Sequence, residues 1–370
     1  MGAKGEGPMP EHLYAAILAG GGGTRFWPLS RRARPKQLLR VVGKRTLLEE
    51  TCARLAGFVP PGRVLVVTGA DQAASTREAL VGGGSGAGVE VLAEPEGRDT
   101  AAAIGFAAEV LRRRDREAVM AVLPADHVVR PAEQLQAALA AACDVAERTG
   151  ALITFGIPPD RPATGYGYIH RGKKIDEAGG FDVYRVRRFV EKPDLATAEA
   201  YLEGGEHDWN SGMFVWRAAR ILEEIKKHLP AHAKAIAESV DALEAGDAAK
   251  LAKVYASMKK VSIDFGVMEK AKEVAAIRAP FAWDDVGAWG AVARLAETDA
   301  DGLAASGDVI AIDTRDCVIH SAGPLVTALG VRDLVIVATE DAVLVCDRSR
   351  DEDVRRVVER LREEGREELL

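Results

Sequence analysis

The run Tyr14-Ala15-Ala16-Ile17-Leu18-Ala19-Gly20-Gly21-Gly22-Gly23-Thr24-Arg25 sets the reading of a 370-residue chain. An apolar stretch that stops at four glycines is a buried strand ending in a loop. Glycine takes backbone conformations closed to other residues and lets a ligand come close to the main chain. Arg25 stands where a dinucleotide-binding fingerprint needs its third glycine, and no Gly-Lys-Ser/Thr follows at Walker spacing. What remains is a glycine-rich turn suited to a phosphate or a base, with an arginine at its end. A tight turn without any ligand fits the glycines alone equally well.

Working outward, eight basic residues and no acid lie between Thr24 and Arg45: Arg25, Arg31, Arg32, Arg34, Lys36, Arg40, Lys44 and Arg45. The chain as a whole carries −7, so everything outside this loop is strongly acidic. A basic loop is usually a solvated face, but beside the glycines it points to a polyphosphate. The overall charge argues against nucleic acid or an anionic membrane as the main partner. With 48% hydrophobic and 28% charged residues, the chain has an ordinary globular composition, and its length suggests two domains. No apolar run is long enough to span a bilayer. Glu6 and Glu11 precede the first apolar stretch, unlike an export signal, and Glu6 stands where a myristoylation signal needs Ser or Thr. Cys52, Cys143, Cys317 and Cys346 show no paired spacing, which predicts reduced thiols and a cytoplasmic protein.

Strand and helix signals alternate through the first half. Strands are predicted at Tyr14–Leu18, Val64–Thr68, Val89–Ala93, Ala118–Leu123 and Ala151–Phe155. Helices are predicted after Thr46, whose Thr-Leu-Leu-Glu fits a capping box, and over Asp71–Leu80, Asp99–Arg113 and Pro131–Arg148. Such alternation implies a three-layer α/β fold with parallel strands, and ligands on such sheets sit beyond the carboxyl ends of the strands. From about 160 to 296 the pattern is mixed, with strands at Tyr184–Val190 and Met213–Trp216 and a helical stretch from Ala218 to Lys259. Beyond Asp301 short apolar strands recur at roughly nine-residue spacing and a helix closes the chain. Two domains are expected, 12–296 and 297–370.

Residues 20–37, from the four glycines through Trp27-Pro28-Leu29-Ser30-Arg31 to Pro35-Lys36-Gln37, closely resemble the signature of sugar nucleotidyltransferases. The resemblance runs to the C-terminus. It recurs in Glu94-Pro95, Arg98-Asp99-Thr100, Leu123-Pro124-Ala125-Asp126-His127, Thr164-Gly165-Tyr166-Gly167-Tyr168-Ile169, Phe189-Val190-Glu191-Lys192-Pro193, Trp209-Asn210-Ser211-Gly212-Met213-Phe214 and Trp283-Asp284-Asp285-Val286-Gly287. Its details are most similar to mannose-1-phosphate guanylyltransferases.

The resemblance implies a Rossmann-like nucleotidyltransferase domain with a mostly parallel sheet and a small C-terminal left-handed β-helix-like module. It implies transfer from GTP to mannose 1-phosphate, giving GDP-mannose and pyrophosphate, and a homodimer. Arg25 and Lys36 would contact the triphosphate, Asp126 and Asp285 would hold Mg²⁺ or another divalent cation, and Lys192 would hold the sugar phosphate. Glu191 and Asn210 would bind sugar hydroxyls, and Gly165, Tyr166 and Gly167 would lie against the sugar. Gly20, Gly21, Gly22, Gly23, Thr24, Asp99 and Thr100 would contact the nucleotide. Asp99 stands where the family usually has Asn, which puts the local base or ribose contact in question. Glu94 is a candidate acceptor for guanine, whose N1–H and N2 amine one carboxylate can take together. Two alternatives stay open: the same chemistry on glucose, fucose or heptose 1-phosphate, and a catalytically silent nucleotide-sugar sensor.

Overall fold

Alternation of side chains along β1 (Leu13–Leu18) divides the interior in two. Leu13, Ala15 and Ile17 enter one core and Ala16 the other, the period of two that a strand imposes. The same division holds for β2 (Val64–Gly69), where Val64 and Val66 oppose Leu65 and Val67. After β3 (Glu90–Glu94), β4 (Val119–Pro124) repeats it, with Val119, Ala121 and Leu123 opposing Met120 and Val122. Helices Leu47–Leu55 and Ala132–Thr149 cover the first face, and Thr100–Arg114 and Ala218–His228 the second. Three layers result. The capping box at Thr46 is formed, its side chain accepting from the Glu49 amide while Glu49 accepts from the Thr46 amide. This computed structural model describes residues 10–370 apart from 83 and 85. Gly2 and Glu6, on which the expected absence of a lipid or export signal partly rests, lie outside the described residues. Among the described residues no helix is long and apolar enough to cross a membrane.

The remaining strands of the first 300 residues are β5 (Val128–Arg130), β6 (Leu152–Ile157), β7 (Tyr168–Ala178), β8 (Phe181–Val190), β9 (His207–Arg217), β10 (Val274–Arg278) and β11 (Ala282–Asp284). Nine strands form one sheet in the order β3-β2-β1-β4-β9-β6-β10-β8-β7. Strands β3, β2, β1 and β4 are mutually parallel, as are β6 and β10. Strand β9 lies antiparallel between β4 and β6, a departure from simple alternation. The strand expected at Met213–Trp216 begins at His207, and its extra length also pairs with β7. The helical stretch expected from Ala218 to Lys259 is three helices, Ala218–His228, Pro230–Glu244 and Ala248–Ala256. Pro230 opens the second because its missing donor costs nothing at a helix start, and Gly246, at φ 68°, follows its end.

Strands β12 (Ala304–Ser306), β13 (Val309–Ile312), β14 (Val318–Ser321), β15 (Val326–Leu329), β16 (Leu334–Ala338) and β17 (Val343–Asp347) build the C-terminal part. Strands β12, β14 and β16 stack in parallel, as do β13 and β15, so successive turns of the chain form the rungs of a β-helix. Antiparallel β17 ends the stack. A third core joins this module to the basic loop. Phe26, Trp27, Leu29 and Leu39 pack with Trp289 and with Val335, Val354, Val358 and Leu361. The Trp27 indole donates to the Leu369 carbonyl at 2.9 Å.

Candidate active site

Two pairings bring the predicted residues together. Leu18 lies beside Pro124 at the carboxyl ends of β1 and β4, and the Ala125 amide donates to the Leu18 carbonyl at 3.0 Å. The glycine loop and Asp126 therefore leave the same edge. The short antiparallel pair β5–β11 sets Asp284 opposite Val128, which carries Asp285 in beside Asp126 from a distant part of the chain.

Lys36 joins these pieces. Its Nζ donates to Asp126 Oδ2 at 2.6 Å and to the Asp285 carbonyl at 2.8 Å. Burial works to raise the Asp126 carboxyl, but the Lys36 charge, His127 and the hydrogen bond outweigh it and hold it below the ordinary range. Gly23 is at φ 56°, and a Cβ there would sit 2.3 Å from that of Lys36, so only glycine permits this approach. Of the two neighbouring acids, Asp284 is turned inward, accepting from the Val286 amide and from Arg294 at 2.8 and 2.9 Å. Asp285 lines the cleft and accepts from the Tyr166 hydroxyl at 2.9 Å and the Gly287 amide at 3.1 Å. Tyr166 is thus a positioning group for Asp285. Burial and the Asp285 charge push its pKa far up, so it stays a donor.

A cavity of about 570 Å³ opens beside the loop, lined by Gly20, Gly21, Glu94, Asp99, Thr100 and Asp264 among others. Glu94 is buried and accepts from the hydroxyl of Tyr255. Burial pushes its carboxyl up to about 7 even though the Tyr255 bond opposes the shift. Asp99 sits at φ 67° and caps the helix Thr100–Arg114 by accepting from the Thr100 amide at 2.7 Å. The Thr100 hydroxyl accepts from the Ile263 amide at 2.8 Å. Gly22 is exposed and Thr24 lines the adjoining cleft of about 480 Å³, with Arg25, Lys36 and Asp285.

On the far side, Tyr168 of β7 pairs with both Val190 of β8 and Trp209 of β9, which gathers Gly167, Glu191 and Asn210 at one corner. The Asn210 amide donates to the Gly167 carbonyl at 2.8 Å, and a Cβ on Gly167 would stand 2.8 Å from Glu191 Oε2. Asn210 Nδ2 donates to Asp264 Oδ1 at 2.7 Å. Burial pushes the Asp264 carboxyl up to about 6. Lys192, at φ 43°, pairs with Glu191 at 3.1 Å and lines a further cleft of about 510 Å³ with Gly165, Tyr166 and Asp285.

One expectation is corrected. Of the eight basic residues between Thr24 and Arg45, only Arg25 and Lys36 line these clefts among the described residues. Arg31 pairs with Asp341 at 2.9 Å and Arg32 with Glu367 at 2.8 Å, acids of the C-terminal part. Most of the loop is exposed or serves to dock that module. Sequence reasoning also missed several contributors. Gln37 was visible in Pro35-Lys36-Gln37. Its Nε2 donates to the Ala19 carbonyl at 3.1 Å and fixes the start of the glycine loop. Arg161 stands three residues before Thr164-Gly165-Tyr166-Gly167, lies over the Trp209 ring at 4.8 Å and donates to the Tyr166 hydroxyl at 3.2 Å. Asp264, Tyr255 and Arg355 had no local signal.

The family model described as nucleotidyl transferase matches residues 14–302, more than half of the chain. The chain belongs to the nucleotidyl transferase family. Members of this family use divalent metal ions. Residues 307–361 match the MannoseP isomerase/GMP-like beta-helix domain. The mannose-1-phosphate guanylyltransferase of Escherichia coli K12 is 38% identical over 96% of this chain and 75% of its own length. The alginate biosynthesis protein AlgA of Pseudomonas aeruginosa is 40% identical over 96% of this chain and 73% of its own. A crystal structure from Thermus thermophilus, of a protein described as mannose-1-phosphate geranyltransferase, superposes with a TM-score of 0.83. It is 41% identical and covers 95% of this chain and 99% of its own.

The raised Glu94 carboxyl makes stability depend on pH. The folded state keeps this proton up to about 7, whereas an ordinary glutamate loses it near 4.5. The contribution is therefore full below about 4.5 and is lost as pH rises through about 7, about 3 kcal/mol in all. Denaturant unfolding between about pH 5 and 8 should show a stability decline that Glu94→Gln flattens.

Proposed function

We propose that this enzyme transfers the guanylyl group of GTP to α-D-mannose 1-phosphate, giving GDP-mannose and pyrophosphate. The observation that carries the reading is the convergence of Arg25, Lys36, Asp126 and Asp285 on one strand edge, between a base-sized cavity and a corner of sugar-binding residue types. A phosphate oxygen of the sugar phosphate attacks the α-phosphorus in line. A new P–O bond forms, the α–β anhydride bond breaks, and its electrons leave on pyrophosphate. The nucleophile needs no dedicated base, because the second pKa of a phosphate monoester is about 6. Catalysis then rests on holding the two substrates in line and neutralising charge.

Arg25 and Lys36 bind the triphosphate and stabilise the departing pyrophosphate, with the glycine loop Gly20–Gly23 and Thr24 against its oxygens. Lys192 binds the sugar phosphate, Glu191 and Asn210 the sugar hydroxyls, and the segment Gly165-Tyr166-Gly167 forms the wall. Asn210 is already engaged by Asp264, so it presents a fixed rather than a searching amide. Glu94 reads guanine in its ionised form, with Asp99 and Thr100 at the cavity wall. Asp126 and Asp285 fit Mg²⁺. They are hard oxygen donors facing one cleft, and no group of three or more His, Cys, Asp or Glu placed to hold an ion occurs among the described residues. This suits an ion that takes one or two carboxylates and completes its shell with phosphate oxygens and water. When bound, the ion neutralises phosphate charge.

Purified protein with GTP, Mg²⁺ and a panel of sugar 1-phosphates, followed by pyrophosphate release, should prefer mannose 1-phosphate. Preference for glucose, fucose or heptose would replace that assignment. Asp285→Asn should lower Mg²⁺-dependent turnover by about 10²–10³-fold, the scale lost with one fixed charge contact at a transition state, with little change in melting temperature. Glu94→Gln should reduce the preference for GTP over ATP by about 10- to 100-fold, as expected for a hydrogen bond to a charged group. Untouched base preference would remove Glu94 from base recognition.

A further inference from the structure

The C-terminal module reaches into the phosphate cleft. Arg355, on the helix Val354–Glu363, lines both the cleft of the glycine loop and Lys36 and the adjoining cleft of Lys192 and Tyr166. Only Arg25, Asp285 and Gly287 share that position between the two among the described residues. Among the described residues Arg355 makes no ion pair, whereas Arg350 and Arg360 of the same segment are matched to Asp353 and to Glu364. Its helix is held firmly. Val354 and Val358 are buried in the core that contains Phe26 and Trp289, and Asp351 accepts from the Gly290 amide at 2.5 Å. Glu352, on the same segment, stands 3.6 Å from Arg25. The segment thus offers an unmatched guanidinium to the cleft and a carboxylate to the arginine already there.

We propose that Arg355 is a third cationic contact for the β- and γ-phosphates, and so for the departing pyrophosphate, with Glu352 holding Arg25 until phosphate displaces it. The proposal rests on the nucleotidyl-transfer reading above. A guanidinium suits this position because its fork matches two phosphate oxygens at once and stays charged at every working pH. Glu352 pairs with Arg25 at 3.6 Å. Because a carboxylate and a phosphate cannot both take Arg25 fully, the exchange costs affinity, which Arg355 offsets. The β-helix module then completes the catalytic cleft rather than merely packing behind it.

Equilibrium titration of the full chain with inorganic pyrophosphate in Mg²⁺ tests this without relying on the identity of the sugar. Arg355→Ala should weaken pyrophosphate binding and raise the KM for GTP by roughly tenfold or more, as for a lost charge-assisted hydrogen bond, leaving the KM for mannose 1-phosphate and the melting temperature near wild type. Arg355→Lys should recover part of the loss, because it restores charge without the fork. Arg356→Ala, one residue on and outside these clefts, should bind as wild type. Glu352→Gln should tighten pyrophosphate binding. Wild-type affinity in Arg355→Ala, an effect confined to the sugar phosphate, an equal loss in Arg356→Ala, or no wild-type binding at all would overturn the role of Arg355. Unchanged affinity in Glu352→Gln would overturn that of Glu352. A wild-type protein that binds pyrophosphate through Arg355 yet makes no GDP-mannose would overturn the substrate assignment alone.

Discussion

The ammonium of Lys36, almost out of contact with solvent, bonds at once to the Asp126 carboxylate and the Asp285 carbonyl. A charge held that deep is stable only when its hydrogen-bonding capacity is met. Three segments that begin far apart in the chain are consequently fixed to one another: the loop after β1, the turn after β4 and the turn after β11. Everything else in the site follows their placement. Gly23 must be glycine to let Lys36 approach, Gln37 anchors the loop to Ala19, and Tyr166 keeps the Asp285 carboxylate aimed at the cleft. In the proposed reaction, a phosphate chain entering here would meet a cation already positioned, so little reorganisation would accompany binding.

The chain divides its positive charge between two tasks. Arg25 and Lys36 face the clefts, while Arg31 and Arg32 engage acids of the C-terminal part and Arg31 lies over the Trp27 ring at 5.5 Å. Exposed ion pairs of this kind contribute little stability each. The apolar core beneath them, with Phe26 and Trp289 fully buried at 5.1 Å between ring centres, does most of the holding. The pairs fix orientation upon a contact that burial makes firm.

The α/β architecture was legible because strands buried on both faces leave short apolar runs, and because Gly20–Gly23, Thr46 and Pro124-Ala125-Asp126 carry their own local chemistry. The antiparallel insertion of β9 was not, since pairing between Met120 and Trp216 leaves no periodic trace. Motif residues such as Asp126 and Asp285 could be named singly, yet only the β5–β11 ladder explains why they share a cleft. Asp264 and Tyr255 sit among residues of ordinary appearance. What sets them apart is burial against Asn210 and Glu94, a property of the assembled core. Arg355 was hidden for another reason: in an amphipathic helix with several arginines, composition does not tell which one lines a cleft. The basic loop misled in the opposite direction, because clustered charge in sequence says nothing about which acids lie opposite.

The bond from the Trp27 indole to the Leu369 carbonyl spans 342 positions. Contacts so distant in sequence form late, because a very long loop must close before they can reward it. On the ribosome the glycine loop is made long before Leu369, the residue that finally supports Trp27, emerges. Nascent protein therefore carries every residue of the glycine motif well before that motif is held in its working shape. The working shape of the loop becomes a report that translation has passed Leu369.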